Sequence, residues 1–170
     1  TLIGRLVDRP LRPLFPEGFY NDTHVVITTL SYDGINLPET IAATGASLAL
    51  SISDIPFNGP VAGVIVGYVN GEYILNPSKE VLENCDIFLS IAGTKDAITM
   101  VEAGAKEVSE EVMLGAIIFG HDRIKEICAF QEAFIELVGN KEKFAFEVKE
   151  PLAQVKEFVD AAEERIEEAV

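Results

Sequence analysis

The chain has 170 residues, and its 48% content of hydrophobic residues excludes an intrinsically disordered protein. The 13 lysines and arginines are outnumbered by 28 acidic residues, and the resulting net charge of −15 excludes a protein that holds nucleic acid on a broad basic surface. No apolar run approaches the roughly 20 residues that a membrane helix needs, so we expect a cytoplasmic protein without a membrane partner.

The positive charge of the first part of the chain is concentrated at its beginning. Arg5, Arg9 and Arg12 have one acidic neighbour there, Asp8, and the stretch 13–78 contains no lysine or arginine. A helical turn would place Arg5 and Arg9 on one face, and paired guanidinium groups suit phosphate oxygens. An ion-pair network with Asp8 that ties a helix end to the next loop explains the same residues equally well. The residues alone leave both interpretations open.

Prolines predict where the first helix ends. Pro10, Pro13 and Pro16 each lack an amide donor and restrict the residue before them. A helix over residues 1–7 is therefore expected to give way to an ordered loop over 9–19. Because the sequence starts in the middle of such a helix and without a methionine, we expect a fragment of a longer protein.

Two buried elements are predicted next. Thr23–Tyr32 is rich in β-branched residues and lies between the turn dipeptides Asn21-Asp22 and Asp33-Gly34, which predicts a buried strand. Pro38 then opens a run of small and apolar residues, Glu39–Ser53. This run predicts a helix that packs closely against a sheet.

A hairpin and a second pair of strands follow. Asn70-Gly71, between the apolar runs Pro60–Val69 and Glu72–Leu75, favours the positive φ angles of a two-residue turn. After a short helix, the apolar runs 86–92 and 97–101 flank a polar turn. This pattern predicts two more paired strands.

The last third of the chain is predicted to be helical. Ser109-Glu110-Glu111 is typical of a helix N-terminus, and apolar residues keep helical spacing from there to Gly139-Asn140. A separate helix over Pro151–Val170 has an apolar stripe on one face and acidic residues on the other. The segment 139–150 is therefore expected to mark a domain boundary, with 141–170 forming a linker and the start of a helical domain.

The remaining reactive side chains point to structure rather than to catalysis. His24 and His121 have no second ligand at metal-binding spacing, and Cys85 and Cys128 lie 43 residues apart, without the spacing of a zinc site. The sequence also lacks a Walker loop, a serine-hydrolase elbow and a dinucleotide fingerprint. We expect no catalytic residue and no metal ligand in this chain.

The stretch Arg5–Phe19, RLVDRPLRPLFPEGF, closely resembles a segment of the bacterial polynucleotide phosphorylase family. Further blocks follow in the family's order: GASLALS at 45–51, IPFNGP at 55–60, GYVNGEYILNP at 67–77, AGT at 92–94, MVE at 100–102 and MLGA at 113–116. The resemblance covers residues 1 to about 123.

The resemblance implies an α+β fold, a ribonuclease PH-like core of the ribosomal protein S5 domain 2-like class. Residues 1–140 are expected to be the C-terminal part of the first of the family's two cores, without its N-terminal strands, and 141–170 to begin an all-α domain. The family forms a homotrimeric ring, in which this core is expected to pack with the second core of the same chain. The family degrades RNA from the 3′ end with inorganic phosphate and releases nucleoside diphosphates. Mg²⁺ is the implied cofactor of the whole enzyme, and a degradosome-like assembly is an implied partner.

The resemblance also implies that this core is catalytically silent. In the family the second core carries a phosphate-binding serine run and an Asp-x-Lys pair that serves metal binding and charge neutralisation. Counting back from the matching blocks places Leu37-Pro38-Glu39 and Phe88-Leu89-Ser90 at those positions. Proline has no N–H, glutamate repels phosphate and phenylalanine cannot ligate a cation. We therefore expect RNA- or phosphate-binding arginines here, Arg5, Arg9 and Arg12, and no catalysis.

Two other functions fit the sequence. A non-catalytic ribonuclease PH-like ring subunit would also use the core only to bind RNA. The sequence of Arg5–Phe19 and the helix from Pro151 favour the phosphorylase instead. A scaffold or assembly module would use the apolar stripe of Leu152–Val170 as its main surface. A second core in the parent gene would discriminate among the three.

Overall fold

The computed structural model describes residues 2–139, 141–148, 153–163 and 167. The helical elements are α1 (Leu2–Leu11), the 3₁₀ turn η1 (Arg12–Leu14), α2 (Pro38–Ile52), α3 (Lys79–Glu83), α4 (Glu110–Val138) and α5 (Ala153–Asp160). The strands are β1 (Ala62–Val69), β2 (Glu72–Leu75), β3 (Ile87–Gly93) and β4 (Ile98–Ala105). No helix in the described ranges is both long and apolar enough to cross a membrane.

The four strands form one antiparallel sheet in the order β2-β1-β3-β4. The predicted hairpin between β1 and β2 is confirmed, with φ at +52° for Asn70 and +86° for Gly71, as a two-residue turn requires. The pairing of β3 with β4 is confirmed as well, and its register places Ser90 opposite Glu102. This sheet, together with the helices around it, confirms the α+β fold class.

Helix α4 covers one face of the sheet. Alternate residues of β1 and β3 point toward it, because side chains along a strand alternate between the two faces. Ser109 caps the helix by accepting a hydrogen bond from the N–H of Val112, and Gly139 ends it, as the sequence predicts. The buried core between α4 and the sheet consists of Ala62, Val64, Val66, Ile87, Leu89, Ile91, Ala116, Ile124 and Cys128.

Helices α1 and α2 cover the other face and share a second buried cluster, made of Val7, Leu11, Ala43, Ala46, Leu50 and Val61. Val61, just before β1, joins both helical layers through two buried polar side chains. Its N–H donates to Oγ of Ser47 on α2 (2.8 Å), and its carbonyl oxygen accepts from Nε2 of Gln131 on α4 (3.0 Å). These hydrogen bonds satisfy polar groups that would otherwise be costly to bury.

The prediction that the first helix ends near Val7 is wrong. Helix α1 continues through Pro10 to Leu11, and the chain then tightens into η1. Pro10 has no N–H to bond to the preceding turn, but its ring is fully buried. Burial of this apolar surface offsets the lost hydrogen bond so close to the helix end.

The prediction of a buried strand over Thr23–Tyr32 is also wrong. The segment contains no strand, and its side chains are mostly exposed, Val26 by 84% and Leu30 by 94%. A β-branched composition produces a strand only where a neighbouring strand takes up its backbone hydrogen-bonding groups. None of the strands in the described ranges pairs with this segment.

We expect the 170-residue chain to self-associate through Thr23–Tyr32 despite its net charge of −15. The exposed apolar side chains of this segment favour contact with a second copy of the chain. Its backbone N–H and C=O groups belong to no described strand, so they can form hydrogen bonds with that copy. Replacing both Val26 and Leu30 by lysine should yield a monomer, as measured by sedimentation velocity over a range of concentrations. Lysine at two other exposed positions, Ile41 and Leu114, should leave the self-association unchanged. A wild-type chain that sediments as a monomer at every concentration contradicts this prediction.

The predicted helix Pro151–Val170 is described only in part. Helix α5 ends at Asp160, and a turn follows at 161–162. Two residues of the predicted stripe, Val155 and Val159, are half exposed, and Leu152, Ile166 and Val170 lie outside the described residues. The division of the chain into domains at residue 140 stays a prediction.

Candidate functional site

Helix α1 and the turn after it present three exposed arginines to solvent. The helix buries Val7 and Leu11 in the core next to α2. Arg5, Arg9 and Arg12 lie on the opposite side, because a repeat of about 100° per residue places them within an arc of about 60°. We call these three side chains the arginine face. Arg5 and Arg9 thus share one side of a helix, as their spacing predicts.

Arg12 is held by the acidic residue one helical turn before it. Its Nη2 lies 2.8 Å from Oδ1 and 2.9 Å from Oδ2 of Asp8, and its Nε lies 3.2 Å from Oδ2. Both side chains are exposed, so the pair contributes only about 0.3–0.5 kcal/mol to stability. Its main effect is to neutralise Arg12 and to fix the orientation of the guanidinium group.

Arg9 pairs with an acidic residue of the sheet. Its Nη1 lies 3.3 Å from Oε2 of Glu102 on β4, and the two side chains are 47% and 43% exposed. The ion-pair network considered in the sequence analysis therefore exists, but its partners differ, since Asp8 binds Arg12 and Glu102 binds Arg9. Glu102 was missed because a contact between residues 93 positions apart leaves no local signal.

Arg5 completes the arginine face. It is exposed, and no acidic side chain in the described ranges forms an ion pair with it. The face therefore combines three guanidinium groups with two carboxylates, those of Asp8 and Glu102. Such a surface can take up anions at Arg5 directly, and at Arg9 and Arg12 after a carboxylate is displaced.

The positions expected to hold phosphate and metal in an active core do meet in space. Glu39, in the first turn of α2, and Ser90, on β3, line one cavity together with Leu6 and Met100. The cavity has a volume of about 10 Å³. Oε2 of Glu39 is buried and has no hydrogen-bond partner among the described residues. The space is thus small and lined by a carboxylate where an anion site would need hydrogen-bond donors.

A larger cavity of about 800 Å³ lies between α1 and the segment 15–27. Arg12 lines it, but so do the acidic residues Asp8, Glu17 and Asp22. This excess of negative charge disfavours phosphate in the cavity. The arginine face is therefore the better candidate for an anion-binding site.

The remaining reactive side chains have structural surroundings. Nε2 of His121 lies 3.2 Å from the carbonyl oxygen of Thr94, and Cys85 and Cys128 are free and buried. Burial raises the pKa of Cys128 to about 11, so its thiol is protonated at neutral pH. Within the ranges that the structure describes, no group of three or more histidine, cysteine, aspartate or glutamate side chains could hold a metal ion.

Two family models match the sequence. The model of the 3′ exoribonuclease family, domain 1, matches residues 1–56, and the model of domain 2 of the same family matches residues 59–123. Together they include the arginine face and the whole sheet. The chain belongs to the 3′ exoribonuclease family.

Curated relatives of this 3′ exoribonuclease family chain carry the name polyribonucleotide nucleotidyltransferase. The relative from Exiguobacterium sibiricum is 60% identical over 147 residues, which cover 86% of this chain and 20% of the relative. The relative from Shouchella clausii is 53% identical over 170 residues, which cover 99% of this chain and 24% of the relative. The resemblance based on Arg5–Phe19 is thereby confirmed, and the chain spans about a fifth to a quarter of the length of these relatives.

A solved structure supports the fold. Rrp46 from rice (Oryza sativa) superposes with a TM-score of 0.52 at 19% sequence identity, covering 59% of this chain and 48% of that chain. At this level of identity the likeness concerns the fold alone.

Proposed function

We propose that the chain is part of a 3′-to-5′ phosphorolytic exoribonuclease, which degrades RNA with inorganic phosphate and releases nucleoside diphosphates. The name and the 53–60% identity of the curated relatives support this activity for the longer protein. The observation that carries a role for this chain is the arginine face, a cluster of exposed cations on a molecule of net charge −15. Arg5, Arg9 and Arg12 bind RNA phosphates or inorganic phosphate and guide RNA toward the active site.

The core formed by this chain is, in this proposal, catalytically silent. Its cavity at Glu39 and Ser90 measures about 10 Å³, close to the smallest volume that holds one water molecule. A phosphate ion does not fit there, and the carboxylate of Glu39 would repel it. Phosphorolysis then takes place in a second core of the same longer protein.

Mg²⁺ serves the whole enzyme in this proposal and is not bound by this chain. The residues at the expected metal position, Phe88-Leu89-Ser90, do not fit the ion, because phenylalanine and leucine offer no oxygen ligand. The whole enzyme is proposed to be a cytoplasmic homotrimer in which this core packs with the second core. A degradosome-like assembly is its proposed partner.

When RNA binds the arginine face, its phosphates replace carboxylates as the partners of the arginines. The Arg9–Glu102 and Arg12–Asp8 pairs are both solvent-exposed and therefore weak, worth about 0.2–1 kcal/mol each. A charge-assisted hydrogen bond from a guanidinium group to a phosphate oxygen contributes about 1.5–3 kcal/mol. A phosphate that reaches Arg9 thus displaces Glu102 with a net gain. Glu102 acts as a competitor of RNA and not only as a structural partner of Arg9.

This exchange predicts opposite effects of two substitutions. Arg9→Ala, like Arg5→Ala, should weaken RNA binding about tenfold to a hundredfold, because a phosphate contact is lost. Glu102→Gln should instead strengthen RNA binding about two- to fivefold, because the competing carboxylate is removed. Fluorescence anisotropy of labelled oligo(A) at several KCl concentrations measures both effects. Each arginine variant should also reduce the magnitude of the salt slope by about 0.7.

A matched control keeps the loss of charge but moves it away from the arginine face. Arg123 is an arginine on α4 that pairs with Glu126, and Arg123→Ala should change neither the RNA affinity nor the salt slope. If Arg9 is only a structural tether, Arg9→Ala and Glu102→Gln will lower the melting temperature by similar amounts. RNA affinity at a matched folded fraction would then equal that of the wild type, and this result would exclude the phosphate-binding role.

A further inference from the structure

The segment 141–148, expected to be a linker, makes specific contacts with the core. Nζ of Lys143 donates hydrogen bonds to the carbonyl oxygens of Ser51 (2.8 Å) and Ser53 (2.7 Å), at the C-terminal end of α2. The N–H of Phe144 donates to the carbonyl oxygen of Asp54 (2.7 Å). The last carbonyl groups of a helix have no partners within the helix and carry partial negative charge, so an ammonium group is stabilising there. Partial burial lowers the pKa of Lys143, because desolvation disfavours its charged form.

The same segment extends a chain of aromatic contacts. The ring of Phe146 packs edge-on against Phe19, with ring centres 5.5 Å apart. Phe19 stacks on Phe15 at 6.1 Å, and Phe15 packs edge-on against Phe57 at 5.6 Å. Phe146 is the single residue of 141–148 that is not exposed. This side chain therefore makes the main apolar contact between the segment and the core.

The end of the segment also lies close to the same loop. Gly18 has a φ of +84°, and a Cβ added to it would lie 2.9 Å from Cγ1 of Val148. Glycine is thus required at this position, both by its backbone conformation and by the close approach of Val148. The turn η1, which precedes this loop, is itself bonded to the stretch between α2 and β1. The carbonyl oxygen of Leu14, at the end of η1, accepts a hydrogen bond of 2.8 Å from the N–H of Asn58.

The loop that receives these contacts directly follows the arginine face. Arg12 lies in η1, and Phe15 begins the loop and packs against the buried cluster that α1 and α2 share. A displacement of the ring of Phe19 would therefore act on Phe15, and through it on the end of α1 and on η1. No other segment in the described ranges packs an aromatic ring on Phe19 apart from Phe15 and Phe146.

We infer that residues 141–148 form a strap that positions the arginine-bearing turn for RNA, with Phe146 and Lys143 as positioning residues. The inference rests on the proposed RNA-binding role of the arginine face. Neither residue contacts RNA in this scheme. The strap acts by holding the loop after η1 against the end of α2. It leads on to α5, so that the part of the chain that follows the core is connected physically to the arginine face.

The strap contains its own matched controls. Phe144 is a second phenylalanine of the strap with a side chain that is 52% exposed, and Lys141 is a second lysine that is exposed. The test compares Phe146→Ala with Phe144→Ala, and Lys143→Gln with Lys141→Gln, in the 170-residue chain. Hydrogen exchange followed by mass spectrometry reports protection of residues 11–19, and anisotropy of labelled oligo(A) reports RNA affinity, both at a temperature where all variants are folded.

Phe146→Ala should raise the exchange rate in 11–19 and weaken RNA binding, each about two- to tenfold, the range expected for loss of an aromatic pair. Lys143→Gln should act in the same direction, and Phe146→Tyr, which keeps the ring, should restore both properties. Phe144→Ala and Lys141→Gln should leave exchange and affinity at wild-type values.

Two results overturn the inference. One is exchange in 11–19 that is the same for Phe146→Ala and Phe144→Ala, because the strap then does not hold the loop. The other is faster exchange with unchanged RNA affinity while Arg5→Ala still weakens binding, because the strap then has a structural role only. Failure of the proposed function itself is recognised separately, by an Arg5→Ala variant that binds RNA like the wild type.

Discussion

No nucleoside diphosphate is expected when the purified 170-residue chain is incubated with poly(A), inorganic phosphate and Mg²⁺. In the proposal of a silent core, the positions expected to bind phosphate and metal hold Glu39 and Phe88, and the cavity next to Glu39 has a volume of only about 10 Å³. Loss of a single preorganised donor costs an enzyme about 10²–10³ in kcat, and here both groups of ligands are replaced. The rate should therefore lie below detection in a chromatographic assay of ADP.

The positive control for this assay is the full-length relative from Shouchella clausii, prepared by the same procedure. A double variant, Pro38→Ser with Glu39→Ser, tests whether the residues at the expected phosphate position alone prevent catalysis. We expect it to remain inactive, because Phe88 still cannot ligate a cation. ADP release that copurifies with the wild-type chain through two further columns would refute the proposal of a silent core.

Gly93→Ala is expected to be the most destabilising single methyl addition in the sheet, lowering the free energy of unfolding by about 2–3 kcal/mol. A Cβ at Gly93 would collide with the carbonyl oxygen of Ala97 and would lie 2.9 Å from Cα of Ile98. Both atoms belong to the backbone, so no side-chain rotation can relieve the clash. The register between β3 and β4 already shifts at Ala92/Gly93, and the added methyl group would force this turn apart.

The matched control is Gly104→Ala on β4, since a Cβ added to Gly104 meets no atom within 4 Å. Its free energy of unfolding should stay within about 0.5 kcal/mol of the wild type. Urea unfolding followed by circular dichroism measures both variants. Equal midpoints for the two variants would show that the β3–β4 turn accommodates a side chain at Gly93.

The elements predicted well from the sequence are those whose signals are local. Asn70-Gly71 determines its own turn because both residues adopt positive φ, and Ser109 and Gly139 bound α4 through hydrogen bonds to residues within one turn. The family itself is recognisable from the contiguous stretch Arg5–Phe19. In the turn and in the two helix ends, the residues that indicate the structure in the sequence are also the residues that form it.

The errors concern features that depend on distant partners. Thr23–Tyr32 has the composition of a strand, but composition cannot supply the neighbouring strand that would bond to its backbone. Pro10 stays within a helix because its ring is buried by tertiary packing. The partner of Arg9 on β4 and the carbonyl groups bound by Lys143 are about 90 residues away in sequence. Such contacts are properties of the fold and leave no periodic pattern in the chain.

The enclosure of the sheet between two helical layers also limits how the chain can vary. Six consecutive residues of β1, from Ala62 to Gly67, are buried, whereas most residues of β4 are accessible to solvent. A charge introduced anywhere in that inner run would lie in a dry interior without a counter-ion and would be strongly disfavoured. Along the outer strand, side chains keep their contact with water, so a charge there carries no comparable cost of burial. The fold therefore tolerates charge at the rim of the sheet and excludes it from the central strand.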